Sequence, residues 1–324
     1  MKKKKLVTIL VPAYNEEEVL PLLYERLVKI LNQEKSYDFE VLIVNDGSKD
    51  STLEIAQGLR KKDNRFNYLN LSRNYGKEIA MIAGLDYCKG DATIIIDADL
   101  QDPPELLPEM LKYWDEGYDD VYAKRRSRRG ESWFKKFTSK TYYRLLQKST
   151  RIDIQKDTGD FRLLDRRCVE ALKAMRESQR YTKGLFSWIG YHKKAIEYDR
   201  DPRAAGRTKW NYRKLFNLSI DGFTSFTTAP LRWSTMIGIL ISIIGFLYML
   251  VIIFRTLFYG IDSPGYASTM VVILFLGGIQ LIFLGIIGEY LGRTFSEAKG
   301  RPLYFIDRYN EEIEDNLNLN NRNK

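Results

Sequence analysis

Two segments of the chain, Met236–Phe254 and Met270–Gly288, contain no charged residue, and each is 19 residues long. That is close to the roughly 20 residues a helix needs to cross a hydrocarbon core. A buried pair of core helices is the alternative, but soluble helices seldom run apolar on every face. The connection Arg255–Thr269 carries one basic residue, whereas the flanks carry Arg232 before and Arg293, Lys299, Arg301 and Arg308 after. Basic flanks stay on the cytoplasmic side. The expectation is a multi-pass protein of the cytoplasmic (plasma) membrane, with its charged N-terminal part in the cytoplasm.

The 324 residues then divide into a cytoplasmic domain over 1–230, a two-span region over 231–292 and a cytoplasmic tail over 293–324. Net charge is +9, from 51 Lys plus Arg against 42 Asp plus Glu, with much of the excess in Lys124–Arg151 and Arg200–Lys214. Both stretches precede the apolar segments, which favours an anionic membrane face or a phosphate over nucleic acid. No zinc-finger spacing and no RNA-binding aromatic signature argues for a nucleic-acid partner. Cys88 and Cys168 form no spaced pair, so reduced thiols are expected. The one histidine, His192, excludes a mechanism needing two. After MKKKK, the run Leu6–Val11 is too short for a signal-peptide core and reads as a first strand.

From Leu6 to Val121 short apolar runs (Leu6–Val11, Phe39–Val44, Tyr68–Leu71, Ala92–Ile96) alternate with helical stretches (Glu16–Leu31, Thr52–Lys61, Lys77–Tyr87, Pro104–Trp114). That pattern predicts an α/β fold, a mostly parallel sheet with helices on both faces. Ligands of such sheets bind beyond the carboxyl ends of the strands. Two basic amphipathic stretches, Trp133–Leu146 and Tyr212–Phe226, suit a membrane surface. The Asn-rich end, Asn310–Lys324, reads as disordered or as an oligomer contact.

The polar residues after the strands form the motifs. Asp97-Ala98-Asp99-Leu100-Gln101-Asp102-Pro103-Pro104-Glu105 follows the strand ending at Ile96. Two carboxylates one residue apart there can converge on a hard divalent cation, Mg2+ or Mn2+, which bridges a diphosphate. Val11-Pro12-Ala13-Tyr14-Asn15-Glu16-Glu17 ends the first strand and Asn45-Asp46-Gly47-Ser48-Lys49-Asp50 the second. An acid at either place can meet a nucleobase or ribose, although Asp46 in Asp-Gly-Ser also suits a plain turn. Neither G-x-G-x-x-G nor G-x-x-x-x-G-K-[ST] occurs, which argues against a dinucleotide dehydrogenase or a P-loop ATPase.

Taken in order, VPAYNEE, NDGSKD, SRNYGKE (Ser72–Glu78), DADLQDPPE and TGDFRL (Thr158–Leu163) resemble the polyprenyl-phosphate glycosyltransferases of glycosyltransferase family 2. These include dolichol-phosphate mannose synthases and bactoprenol-phosphate glucosyltransferases. The likeness runs from Leu6 to about Tyr304, and the exit Gly288-Glu289-Tyr290-Leu291-Gly292-Arg293 is similar to the bactoprenol branch. It implies a GT-A nucleotide-sugar-binding domain followed by two transmembrane helices. By matching position, Pro12, Tyr14, Glu16, Asp46 and Asp97 would bind the nucleotide, and Asp97, Asp99 and Gln101 the metal and diphosphate. Asp160 and Asp99 would be the catalytic acids, with Asp160 beside the reacting sugar. Arg125, Lys135, Ser139, Arg203 and Lys209 would face the acceptor phosphate.

The implied reaction is an inverting transfer of a hexose to polyprenyl (undecaprenyl) phosphate. UDP-glucose is the first expectation for the donor, then UDP-N-acetylglucosamine, with UDP-galactose and GDP-mannose behind. The acceptor is already ionised near neutral pH, so Asp160 is expected to orient groups more than to take a proton. The lipid-linked sugar would pass to a flippase for cell-envelope glycans. Related enzymes form homo-oligomers, a tetramer being expected here, and Gly277, Gly278, Gly285, Gly288 and Gly292 permit close helix contact. The alternatives are a processive polysaccharide synthase and a non-catalytic nucleotide-binding membrane scaffold. The first lacks its Q-x-x-R-W motif, since Ser178-Gln179-Arg180-Tyr181 does not fit. The second would not need the acids at Asp97, Asp99 and Asp160.

Overall fold

The structure is a computed structural model that describes residues 4–126, 155, 158–178, 180–199, 227–259 and 265–313. The chain divides into two compact units, residues 1–217 with 301–324, and residues 218–300. The amphipathic stretches expected at 133–146 and 212–226 lie outside the described residues.

The first unit is built on one sheet of nine strands: β1 (Leu6–Ala13), β2 (Asp38–Asn45), β3 (Phe66–Leu71), β4 (Ala92–Ile95), β5 (Asp120–Arg125), β6 (Thr158–Asp165), β7 (Lys193–Tyr198), β8 (Ile306–Tyr309) and β9 (Glu312–Ile313). Their order is β7-β5-β6-β4-β1-β2-β3-β8-β9. The run β4-β1-β2-β3 is parallel, as the alternating pattern predicts. On one side β6 lies antiparallel between β4 and β5, and β5 pairs in parallel with β7; on the other, β8 and β9 are antiparallel additions. β1 reads LVTILVPA and is buried at every position after Leu6, the signature of a central strand covered on both faces.

Helices α1 (Leu20–Gln33), α2 (Thr52–Lys62) and α4 (Leu107–Asp115) cover one face. Leu20, Leu23, Leu27, Ile30 and Leu31 of α1 fall at helical spacing and join Val7, Ile9, Val11 and Ile94 in the core. α3 (Lys77–Tyr87) lies on the other face, so close that a Cβ on Gly84 would sit 2.1 Å from Leu10 Cδ1. α5 (Arg166–Ala174) and α6 (Thr182–Trp188) follow β6. Cys88 and Cys168 are buried free thiols.

Two helix starts differ from the sequence reading. The segment from Glu16 is a turn, with Asn15 at φ 53°, and α1 opens only at Leu20. The stretch from Pro104 begins as a 3-10 turn, Pro104–Leu106, and becomes α-helical at Leu107 with Pro108 in its first turn. The C-terminal segment departs more. Residues 310–313, expected to be disordered or an oligomer contact, complete the sheet instead. Asn310 turns the chain at φ 51°; its N–H donates to Tyr68 O (2.9 Å) and its Oδ1 accepts from Tyr68 N–H (3.0 Å). Residues just before β8 are also tied down. Arg176 grips Asp86 through both Nη atoms at 2.7 and 2.8 Å, and the Tyr304 hydroxyl donates to the same carboxylate at 2.6 Å.

The second unit holds α7 (Ala229–Tyr259) and α8 (Tyr266–Ala298), which contain the segments 236–254 and 270–288. Mean hydropathy reaches 2.5 in an 18-residue stretch within Ala229–Ile252 and 2.6 in one within Val271–Ala298, so both helices are long and apolar enough to cross a membrane. Met236, Leu257 and Leu281 stand largely exposed, a surface that water penalises and lipid would cover.

Candidate active site

β1, β2 and β4 deliver their carboxyl ends to one edge of the sheet, and three loops meet there. The loop after β1 and the loop after β2 are interlocked by backbone groups. Asn15 N–H donates to Ser48 Oγ (3.0 Å), Glu16 N–H to Thr52 Oγ1 (2.9 Å), and Lys49 N–H to Asn15 Oδ1 (2.9 Å). Pro12 is buried in β1 opposite Val44, while Tyr14 and Glu16 are half-buried in the loop that follows.

Asp46, at the end of β2, is only 2% exposed. Its Oδ1 accepts from Tyr75 N–H (2.7 Å), and its Oδ2 from Gly76 N–H (2.9 Å) and Asn74 Nδ2 (3.1 Å). Burial pushes its carboxyl above the usual range, against those hydrogen bonds and the Arg73 charge. Gly47, at φ +60°, lets the turn lie flat on the next loop, because a Cβ there would stand 2.4 Å from the Arg73 carbonyl carbon. Asp46 therefore fixes the backbone of residues 74–76, and that segment launches α3.

Lys77 is the first residue of α3, and its Nζ lies 2.6 Å from Asp97 Oδ1 and 2.5 Å from Asp160 Oδ2. One ammonium thus joins the acid that follows β4 to the acid within β6. Burial draws the Lys77 ammonium down, but Asp160 and Asp97 outweigh it and hold it well above the ordinary lysine range. Asp160 is 6% exposed, and its Oδ1 has no hydrogen-bond partner. Burial alone would raise its carboxyl, yet Lys77 and Lys183 bring it to about 2. The two ammonium groups thus favour Asp160 as the anion. Glu78, the next residue, accepts from both Thr182 N–H and Thr182 Oγ1 at the start of α6. Burial, then the Asp160 charge, raises Glu78 to about 7.

Period-two alternation puts Asp160 and Arg162 on one face of β6 and Gly159 and Phe161 on the other. Arg162 is 1% exposed; its Nη1 donates to Asp120 Oδ2 at 3.0 Å and its guanidinium lies 3.7 Å from the Phe186 ring centre. On the opposite face Phe161 meets Tyr198 edge-on at 6.4 Å, and the Tyr198 hydroxyl donates to Asp102, which is 1% exposed. Gly159 leaves room there: a Cβ would lie 3.5 Å from Arg125 Nη2 and 3.8 Å from Asp102 Oδ2. Burial draws the Arg125 guanidinium down, while Tyr198, Asp102 and Asp97 more than compensate. After Asp99 the chain turns through Leu100, buried at φ 56°, a costly conformation for a bulky residue, and Gln101 N–H donates to Asp99 Oδ1 (3.1 Å).

The structure brings Asp97 and Asp160 together through Lys77, with Asp46 holding the loop behind that lysine. Of the expected acceptor-phosphate residues, Arg125 is described at the end of β5; Lys135, Ser139, Arg203 and Lys209 lie outside the described residues. Lys77, Glu78, Asp102, Arg162 and Tyr198 were not singled out by sequence. A signal for Lys77 was present: a cation in the first turn of a helix opposes the macrodipole, and such local rule-breaking marks functional positions.

A family model described as glycosyl transferase family 2 matches residues 8–173, and one described as GtrB C-terminal hairpin matches residues 229–294. The chain is 51% identical over 300 residues to an uncharacterized glycosyltransferase of Synechocystis sp., covering 93% of this chain and 94% of that one. It is 47% identical over 301 residues to the uncharacterized glycosyltransferase YkcC of Bacillus subtilis, covering 93% of each. A prophage bactoprenol glucosyl transferase homolog of Escherichia coli is 44% identical over 302 residues, 93% of this chain and 98% of that one. Among solved structures, glucosyl-3-phosphoglycerate synthase of Mycobacterium tuberculosis superposes at a TM-score of 0.47 and 17% identity, covering 68% of this chain and 78% of that one. The mixed sheet with its interlocked strand-end loops is GT-A-like, and the apolar helices associate the chain with a membrane. The chain belongs to glycosyl transferase family 2 and is a glycosyltransferase.

Proposed function

We propose that the enzyme transfers a hexose from a nucleotide-sugar, UDP-glucose first and UDP-N-acetylglucosamine next, to a polyprenyl phosphate at the cytoplasmic face of the membrane. The observation that carries this is the Lys77–Asp97–Asp160 cluster at the carboxyl ends of β1, β2 and β4, in a chain with two membrane-length helices. The name of the Escherichia coli relative supports a bactoprenol acceptor and glucose. The uneven basic residues, one in 255–269 against five in the flanks, support a two-span topology with the 1–230 domain and the 293–324 segment in the cytoplasm.

In this reading Pro12, Tyr14, Glu16 and Asp46 form the nucleoside side of the site, Asp46 by fixing the loop at 74–76. Asp97, Asp99 and Gln101 would hold Mg2+ or Mn2+. The residues fit such an ion. Asp97 already receives an ammonium, so the position favours positive charge. Among the described residues no three His, Cys, Asp or Glu side chains converge as a metal cage. A hard cation needs only one or two such carboxylates when a diphosphate and water supply the remaining oxygens. When bound, the ion would neutralise charge on the departing diphosphate.

The chain's own residues do the remaining work. Arg125, with Lys135, Ser139, Arg203 and Lys209, holds the acceptor phosphate; arginine grips it with two parallel N–H groups. Asp160 stays ionised beside the sugar, orienting its hydroxyls. The acceptor oxygen attacks the anomeric carbon as the nucleoside diphosphate leaves from the opposite side, giving inversion. The membrane helices confine the enzyme to the surface that holds its lipid acceptor, replacing a three-dimensional search by proximity. A flippase would carry the product outward for cell-envelope glycans, and the enzyme would work as a homo-oligomer, a tetramer.

The test is transfer from a panel of radiolabelled UDP- and GDP-sugars to undecaprenyl phosphate by the purified full-length chain with Mn2+ or Mg2+. A chloroform-extractable product from UDP-glucose supports the reading. No lipid product from any donor, with a folded protein that still binds UDP, would overturn the acceptor.

A further inference from the structure

We infer that Lys77 is a tethered cation that fills the acidic site until a divalent ion and a diphosphate enter together, so that each depends on the other for tight binding. This rests on the metal reading above and adds to it a residue and a linkage.

The geometry is specific. A single Nζ bridges Asp97 and Asp160 at 2.6 and 2.5 Å, carboxylates that belong to the neighbouring strands β4 and β6 or follow directly from them. The root of the lysine is fixed, because Asp46 holds Asn74, Tyr75 and Gly76 immediately before it. Its stem is not: the side chain is 42% exposed, against 24% for Asp97 and 8% for Asp160, so the ammonium can swing out while the backbone stays. Asp160 Oδ1 keeps no partner, so the lysine satisfies only part of the acidic charge.

A divalent ion arriving alone gains little. It must displace an ammonium already paired with Asp97, and among the described residues no three His, Cys, Asp or Glu side chains are gathered around one point to replace its water shell. A diphosphate changes both halves of that balance. It brings hard oxygen ligands to the ion, and it is an anion towards which the displaced ammonium can turn. Linkage is reciprocal, so whatever factor the nucleotide adds to the ion's affinity, the ion adds to the nucleotide's. Removing the lysine's charge should uncouple the two.

The experiment measures free Mn2+ by electron paramagnetic resonance, with the full chain in detergent, with and without UDP, for wild type, Lys77→Met, Lys77→Gln, Lys77→Arg and Asp99→Ala. Circular dichroism and thermal melts confirm folding. In wild type, UDP is expected to tighten Mn2+ at least tenfold. In Lys77→Met and Lys77→Gln, Mn2+ alone should bind at least tenfold tighter than in wild type, and the gain from UDP should shrink. Lys77→Arg, which keeps the charge, should retain the wild-type coupling. Folded Lys77→Met and Lys77→Gln proteins that bind Mn2+ alone no tighter than wild type, while Asp99→Ala loses the Mn2+–UDP complex, would overturn the lysine's role and leave the metal reading standing. A wild type that takes up no Mn2+ even with UDP, or an Asp99→Ala that binds it equally well, would overturn both.

Discussion

Replacing Arg162 by methionine should unfold the sheet at a markedly lower temperature, through charge rather than volume. Arg162 and Asp120 are 1% and 0% exposed and paired at 3.0 Å. Methionine keeps an apolar stem and can still lie against Phe186, so the packing lost is small. What remains is a buried carboxylate without its counter-charge, which typically costs about 3–5 kcal/mol. For a unit of this size each kcal/mol moves Tm by about 2–4 °C, so a drop of roughly 6–20 °C is expected. Burial already pushes the Asp120 carboxyl up, and Arg162 is the main opposing charge. Without that charge Asp120 takes a proton more readily, so the deficit should narrow as pH falls. The double variant Arg162→Met/Asp120→Asn removes both charges and should recover a large part of the loss. The assay is a detergent thermal melt of wild type, Arg162→Met, Asp120→Asn and the double variant at pH 8 and pH 5. A drop under about 2 °C for Arg162→Met, as for a surface substitution, or a double variant as unstable as the sum of the singles, would refute the reasoning.

Other consequences follow from the same geometry. Glu78 is raised from 4.5 to about 7, so the folded chain holds a proton between those values that the unfolded chain has released, and stability rises as pH falls through that window. Glu78→Gln should be more stable than wild type by on the order of 1–3 kcal/mol at pH 8, with the difference gone by pH 5 in parallel melts. Asp46→Asn puts an amide N–H₂ against at least one of the backbone N–H groups of Tyr75 and Gly76, and should cost about 1–3 kcal/mol and raise the donor KM more than it lowers kcat. Asp86→Ala leaves Arg176 and the Tyr304 hydroxyl without their shared carboxylate; a loss of about 2–4 kcal/mol and faster hydrogen exchange in β8 are expected.

The parallel centre of the fold was legible because burial on both faces writes itself as unbroken apolar runs: β1 and β2 fall within two residues of their sequence bounds. The antiparallel additions were not. β6 owes its place to pairing with β4 and β5, which are distant in sequence, and β8 is four residues long with only Ile306 fully buried. The Asn-rich composition beyond it suggested disorder, yet Asn310 serves as a left-handed turn residue that pairs with Tyr68 through both its amide groups. In the site, Asp97 could be named because it follows an apolar strand within a dense motif, and Asp160, which lies inside β6, because TGDFRL resembles a family motif. Their link could not. Lys77 reads as one more surface cation until the fold brings its ammonium to Asp160 of β6, and Asp46 reads equally as ligand or turn until its three donors are seen.

The most direct test of the account is the rate of lipid-phosphate sugar formation by Asp99→Ala and Asp160→Asn beside wild type, with saturating UDP-glucose, undecaprenyl phosphate and Mn2+. The account predicts that both variants fold as wild type does and lose at least about a hundredfold in kcat, the size of effect that removal of one electrostatic stabiliser produces. Either variant turning over within a few-fold of wild type would contradict it and move the chemistry away from the cluster that Lys77 joins.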